Sequence, residues 1–187
     1  KIYLSFLRNE KTGVKEVFQQ FKNRPDRYII ASFLLTALSL ACLLPVFGCG
    51  AMTVYFSYTG NELATMITSC IMIVAMIFSM ILVFYFAVKY SQVYYLYIDH
   101  PDMSVIGAFK ESSRIMKGNM WRYIYMIFSF IPLELLVGLT MGIGEFFLVP
   151  YMGTVQAAFY MDVNGEFQRR EDEARRLEEE MGPVLSE

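Results

Sequence analysis

Between Arg27 and Glu62, and again between Glu62 and Lys89, the chain carries no charged residue. Each run exceeds the roughly 17 to 25 apolar residues that a helix needs to cross a bilayer, and water-soluble helices do not go so far without a charge. The one acid that separates the runs sits in Thr59-Gly60-Asn61-Glu62, a turn sequence, so residues 28–98 are expected to form a transmembrane hairpin. Within its first arm Pro45, Gly48 and Gly50 predict a kink or break. After Lys89 helix is expected to continue through Tyr90, Tyr94, Tyr95 and Tyr97, with their hydroxyls wet at the interface. A composition of 56% hydrophobic and 18% charged residues agrees with this class.

The cations suggest the sidedness. All 16 Lys and Arg fall into three blocks, Lys1 to Arg27, Lys89 to Arg122 and Arg169 to Arg176, whereas the turns Thr59 to Glu62 and Thr140 to Glu145 hold only acids as charged groups. The positive-inside rule then places the blocks in the cytoplasm and the turns outside, which requires four crossings with both ends in. Lys1 is not an initiator methionine, and Ile2, Tyr3, Leu4, Phe6 and Leu7 read as the end of a helix begun upstream. Residues 1–27 therefore comprise that helix end and an interfacial helix with Val14, Val17, Phe18 and Phe21 at i, i+3, i+4 and i+7. No cleavable signal peptide is recognised.

A second interfacial helix is expected within residues 99–118. Ser104 caps its start and Gly118 ends it, with Ile106, Phe109, Ile115 and Met116 towards lipid and Lys110, Glu111, Arg114 and Lys117 towards headgroups. Residues 119–162 form the second hairpin, entered through the belt Trp121, Arg122 and Tyr123 and reversed at the glycines Gly138, Gly142 and Gly144. Arg27, Tyr28, Lys110, Arg114, Lys117, Trp121, Arg122 and Tyr123 are the expected membrane-interface anchors. Residues 163–187 form a charged cytoplasmic helical tail, with Glu171 and Asp172 four residues before Arg175 and Arg176, and a narrow stripe of Phe167, Ala174, Leu177 and Met181.

The halves line up. Arg27-Tyr28-Ile29 and Arg122-Tyr123-Ile124 open each hairpin, and Tyr97-Ile98-Asp99 and Tyr160-Met161-Asp162 close it. Because each half crosses twice, the copies keep one orientation, which implies a pseudo-twofold axis along the membrane normal. The expected fold is all-α, a polytopic transmembrane bundle of four crossings in two parallel hairpin repeats plus interfacial amphipathic helices.

Few side chains point to chemistry. Glu134 and Glu145 flank the outer turn, each about one and a half helical turns from its centre, so a closed hairpin brings the carboxylates to similar depth. Such groups mark an ion or proton site when desolvated, and are merely hydrated when near the outer surface. His100, the single histidine, suits a turn between Asp99 and Pro101. Thr154 and Gln156 line a polar path or bridge helices. Pro132 and Pro150 shape the two arms, and Cys42, Cys49 and Cys70, within apolar runs, read as buried thiols rather than a disulfide framework. No catalytic, cofactor-binding or metal motif is readable.

Several motifs in one order carry a resemblance: Asp99-His100-Pro101-Asp102-Met103-Ser104, Phe109 to Gly118, Gly142-Ile143-Gly144, Pro150-Tyr151-Met152 and Ala157-Ala158-Phe159-Tyr160. Together they resemble the bacterial integral membrane family called domain of unknown function 975, strongly over the C-terminal third and more weakly from Phe6 to Asn23. The resemblance implies a bacterial membrane location, further helices upstream and no established activity. Two departures stand out: members usually carry Glu where Gly107 stands, and are usually apolar at Glu134 and Glu145.

The expected function is accordingly a non-enzymatic structural or regulatory membrane partner, with a small transporter or transporter subunit using Glu134 and Glu145 as the alternative. Expected partners are the bilayer with its anionic inner-leaflet lipids and a second copy or another membrane protein. Neither nucleic acid nor a cofactor is expected. A wet cavity reaching Glu134 would favour transport, and a dry bundle would favour the partner.

Overall fold

A computed structural model describes residues 2–8 and 25–181. Its described residues are helical and contain no strand: α1 (Ile2–Leu7), α2 (Pro25–Tyr58), α3 (Glu62–Lys89), α4 (Val93–Asp99), α5 (Val105–Met116), α6 (Met120–Leu139), α7 (Glu145–Val163) and α8 (Glu166–Met181). The interfacial helix expected around Val14 to Phe21 lies outside the described residues.

The long apolar runs become α2 and α3, packed along each other as an antiparallel hairpin. At their junction Gly60 adopts φ +71°, and Asn61 starts α3 by accepting a hydrogen bond from the Ala64 amide at 3.1 Å. Of the kink or break expected at Pro45, Gly48 and Gly50, the break does not occur: α2 continues through them over 34 residues. A proline forfeits one backbone bond, and membrane helices absorb that loss where a soluble helix would end. The second reversal follows the same logic, with Met141 and Gly142 at φ 53° and 86° between α6 and α7.

Among the described residues three helical stretches are long and apolar enough to cross a membrane: Asp26–Tyr58 within α2, Glu62–Asp99 covering α3 and α4 across the turn between them, and Met120–Leu139, which is α6. The fourth expected crossing, α7, has 19 residues but is not among them. Glu145, Gln156 and Asp162 make it more polar than its partner α6.

The core is concentrated at one end. There Leu4 of α1, Leu96 of α4, Ile115 of α5 and Ala157, Tyr160 and Met161 of α7 pack into one cluster. Ala31, Val93, Tyr97 and Ala108 form a second, and Val88, Met116, Tyr123 and Phe159 a third. Away from this end most large apolar side chains of α2 and α3, including Phe33, Phe47, Val74 and Met80, are exposed. A water-soluble monomer rarely exposes such contiguous surface, whereas hydrocarbon covers it without cost. Five hydroxyls of these helices fit the same solvent, whereas that of Ser79 is buried without a hydrogen-bond partner among the described residues. Thr36, Ser39, Thr53, Thr68 and Ser69 each donate to the carbonyl four residues back in their own helix, at 2.7 to 2.9 Å.

Several sequence expectations are corrected here. Helix does not run unbroken through the tyrosines after Lys89: a turn at residues 90–92 separates α3 from α4. The Tyr97 hydroxyl, expected to stay wet, is buried with no hydrogen-bond partner among the described residues. Only Cys42 is buried; Cys49 is half-buried and Cys70 exposed, all three as free thiols. Thr154 donates to the Pro150 carbonyl at 2.8 Å and so is satisfied within α7.

Helix α5 is capped as its sequence indicates, Ser104 Oγ accepting from the Gly107 amide at 3.1 Å. Gly118 takes φ +89° just beyond its end. Its buried face is Ala108, Ser112, Ile115 and Met116, whereas Ile106, expected towards the same side as Ile115, is exposed. Ser112 Oγ donates to the Lys89 carbonyl at 3.1 Å, fixing α5 to the end of α3.

Candidate functional site

The densest polar constellation lies where α1, α4, α7 and α8 meet. Arg8, one residue past α1, points its guanidinium between two carboxylates. Its Nη1 and Nη2 donate to Asp99 Oδ1 and Oδ2 at 2.8 and 3.0 Å, and its Nε and Nη2 donate to Glu166 Oε1 and Oε2 at 2.9 and 2.7 Å. Two bidentate contacts thus occupy both edges of one planar fork, which a lysine could not do. Tyr160 Oη donates to Asp99 Oδ2 at 2.9 Å, and Arg170 Nη2 donates to Glu166 Oε1 at 2.9 Å. The side chains of Arg8, Asp99 and Glu166 are only 20%, 12% and 14% exposed.

Local sequence explains each position. Asp99 ends α4, where the His100 amide caps the helix by donating to the Leu96 carbonyl at 2.8 Å, so His100 fills the turn role expected of it. Glu166 begins α8 after Gly165 at φ +72°, a place where the helix dipole also favours an acid. Tyr160 is buried in the core cluster and reaches Asp99 from beneath. A cavity of about 400 Å³ opens beside the cluster, lined among others by His100, Asn164, Arg169 and Glu173.

The electrostatics follow from these contacts. The bonds from Arg8 hold the Glu166 carboxyl below its ordinary value against the opposing effect of burial, with further help from the charges of Arg8 and Arg170. Hydrogen bonds to Asp99 and then Glu166 raise the Arg8 guanidinium above its own. Because Glu166 binds its proton less readily folded than unfolded, its contribution to stability is full above the unfolded carboxylate range. That contribution falls away as pH drops through the depressed folded value. Thermal midpoints in detergent between pH 7 and pH 3 should decline at the acid end, and Glu166→Gln should flatten that decline.

The residues singled out from sequence are dispersed. Glu134 and Glu145 are both exposed, and neither lines the crevice of about 410 Å³ between α6 and α7. That crevice is walled by Leu133, Leu136, Val137, Phe147 and Leu148, with Thr140 and Tyr151 as its polar side chains. Among the anchors, Lys110, Arg114, Lys117 and Trp121 are exposed, and Arg114 pairs with Glu111 one helical turn away. Arg27 instead donates to the Pro101 and Met103 carbonyls at 2.5 and 2.7 Å. Tyr28 packs on Tyr97 with ring centres 5.5 Å apart. Tyr123 is turned into the core against Phe159 at 5.1 Å. Arg122 pairs with Asp162.

Arg8, Asp99, Tyr160 and Glu166 were not recognisable as a site from sequence. Two of them nevertheless belong to the repeated Tyr-apolar-Asp signature, Asp99 as the last residue of its first copy and Tyr160 as the first residue of its second.

Bare apolar flanks and a polar knot at one end are those of a chain whose described residues are helical, with three stretches long and apolar enough to span a membrane. The chain belongs to the family described as protein of unknown function, DUF975, whose model matches residues 1–166. No curated protein and no solved structure matches it.

Proposed function

We propose that this is a non-enzymatic bacterial membrane protein of four crossings that acts as a structural or regulatory partner, holding the charged helix α8 in a fixed attitude at the cytoplasmic face. The observation that carries this reading is the Arg8 clasp, which joins α8 to the membrane-embedded helices through Glu166 while leaving most of α8 exposed. A solvated helix held by a bidentate ion pair presents its outer surface at a defined angle, as a docking element requires. The small-transporter reading has less support, because the seam between α6 and α7 is walled mainly by apolar groups and Glu134 stands outside it.

Four crossings are supported by how the ends gather. Glu166 holds both Arg8 and Arg170, Arg27 meets the turn after α4, and Arg122 meets Asp162, so described cations from each of the three basic blocks gather at one end. Helix α7 returns along α6 from the Gly142 bend to that end, a rise of about 28 Å for its 19 residues. In a variant lacking native cysteines, membrane-impermeant maleimide should label Gly142→Cys and Arg175→Cys from opposite faces of sealed vesicles. Labelling of both from one face refutes the topology. The partner role is tested by cross-linking in native membranes: proteins captured through α8 should be lost in Arg8→Ala but kept in Glu134→Gln. A cation or proton flux in proteoliposomes that Glu134→Gln abolishes would replace this reading with transport.

A further inference from the structure

Helices α6 and α7 leave a second opening at their charged end, a groove of about 750 Å³ whose lining includes Trp121, Tyr125 and Met126 from α6 and Val155, Ala158 and Phe159 from α7. Val155 and Ala158 on α7 line it opposite the start of α6, where Trp121 and Tyr125 are turned outward, 81% and 80% exposed. At the mouth stands the Arg122–Asp162 pair, Nη2 to Oδ2 2.5 Å, with side chains 60% and 40% exposed. Arg122 also donates to Asn119 Oδ1 at 3.3 Å. The mouth therefore offers one cation and one anion side by side, both with unused valences, above an apolar trough.

That trough continues along the bundle. Arg122, Met126, Leu133 and Val137 recur on α6 at helical spacing, so the groove and the apolar crevice further along occupy one seam. From Arg122 to Thr140 the rise is about 27 Å, close to the hydrocarbon thickness of roughly 30 Å. A lipid with its headgroup at Arg122 would lay its chains along the groove and reach the start of the crevice at mid-bilayer.

We propose that this groove binds a zwitterionic phospholipid bearing a primary ammonium, with its phosphate on Arg122 and its ammonium on Asp162. An isolated arginine would accept any phosphate headgroup. The adjacent carboxylate cancels the local positive charge, disfavours purely anionic headgroups and supplies an acceptor for N–H donors, which a quaternary ammonium lacks. The proposal rests on α7 being a crossing beside α6.

Trp121 is the single tryptophan of the chain and lines the groove, so its fluorescence reports occupancy. The full chain is reconstituted in phosphatidylcholine vesicles containing equal mole fractions of chain-brominated phosphatidylethanolamine, phosphatidylcholine or phosphatidylglycerol. Brominated phosphatidylethanolamine should associate about fivefold more strongly than either other lipid, the discrimination expected of one partly exposed charge-assisted hydrogen bond. Asp162→Asn should remove its advantage over phosphatidylcholine. Ala158→Leu, which fills the trough and leaves the charge pair intact, should also remove it. Equal quenching by all three headgroups, or a preference that survives both variants, overturns the lipid site and leaves the crossing intact. Absence of quenching by any brominated lipid overturns the crossing as well.

Discussion

Arg8→Ala should destabilise the protein by about 3 kcal/mol and release α8 from the bundle. The substitution removes the guanidinium that satisfies two carboxylates, and those carboxylates are too covered to recover full hydration. Removing one member of a buried pair typically costs about 3 to 5 kcal/mol, and the residual exposure here argues for the lower bound. For a chain of this size that corresponds to a fall of roughly 6 to 12 °C in thermal midpoint. Arg8→Lys should recover only part of the loss, because an ammonium cannot engage two carboxylates bidentately. The triple replacement Arg8→Met, Asp99→Asn, Glu166→Gln should be less destabilised than Arg8→Ala, since it removes the charges together. Midpoints in detergent measure the stability, and protease sensitivity around residue 165 measures release of the tail. A wild-type midpoint in Arg8→Ala would show that the clasp contributes nothing.

Gly153→Val should be comparably damaging through a different cause. The Tyr3 ring of α1 lies directly over Gly153 of α7, with its Cζ and Cδ2 only 2.6 and 2.9 Å from where a Cβ would stand. No rotamer of valine avoids that overlap, so α1 must move off α7 or Tyr3 must leave its place. Overpacking of this kind costs roughly 1 to 3 kcal/mol, and displacement of α1 would also pull Arg8 from Asp99. Tyr3→Ala alone should cost less, and combining it with Gly153→Val should restore part of the lost stability, a non-additivity diagnostic of direct contact. Simple addition of the two losses would place the effect elsewhere.

How much of this was legible depends on the distance over which each feature is decided. The hairpin reversals at Gly60 and Gly142, the Ser104 cap and the end of α5 at Gly118 are local, decided by a few residues and by backbone angles that glycine tolerates. The clasp is not local. Arg8 lies 91 residues from Asp99 and 158 from Glu166, and no spacing rule connects such positions before the helices are placed. The Tyr97 hydroxyl shows the same dependence: tyrosines gather at interfaces, but this one is turned inward by packing against Ala31, Val93 and Ala108.

The unequal arms have a consequence for the surrounding film. Helix α2 has 34 residues and α3 28, against 20 and 19 in α6 and α7, so the first pair is about 51 and 42 Å long and the second about 30 and 28 Å. Even leaning by the steepest usual 40°, α2 projects roughly 39 Å on the normal. If both pairs cross as proposed, lipid beside α2 is stretched while lipid beside α6 and α7 is not, and the protein should gather at steps in bilayer thickness.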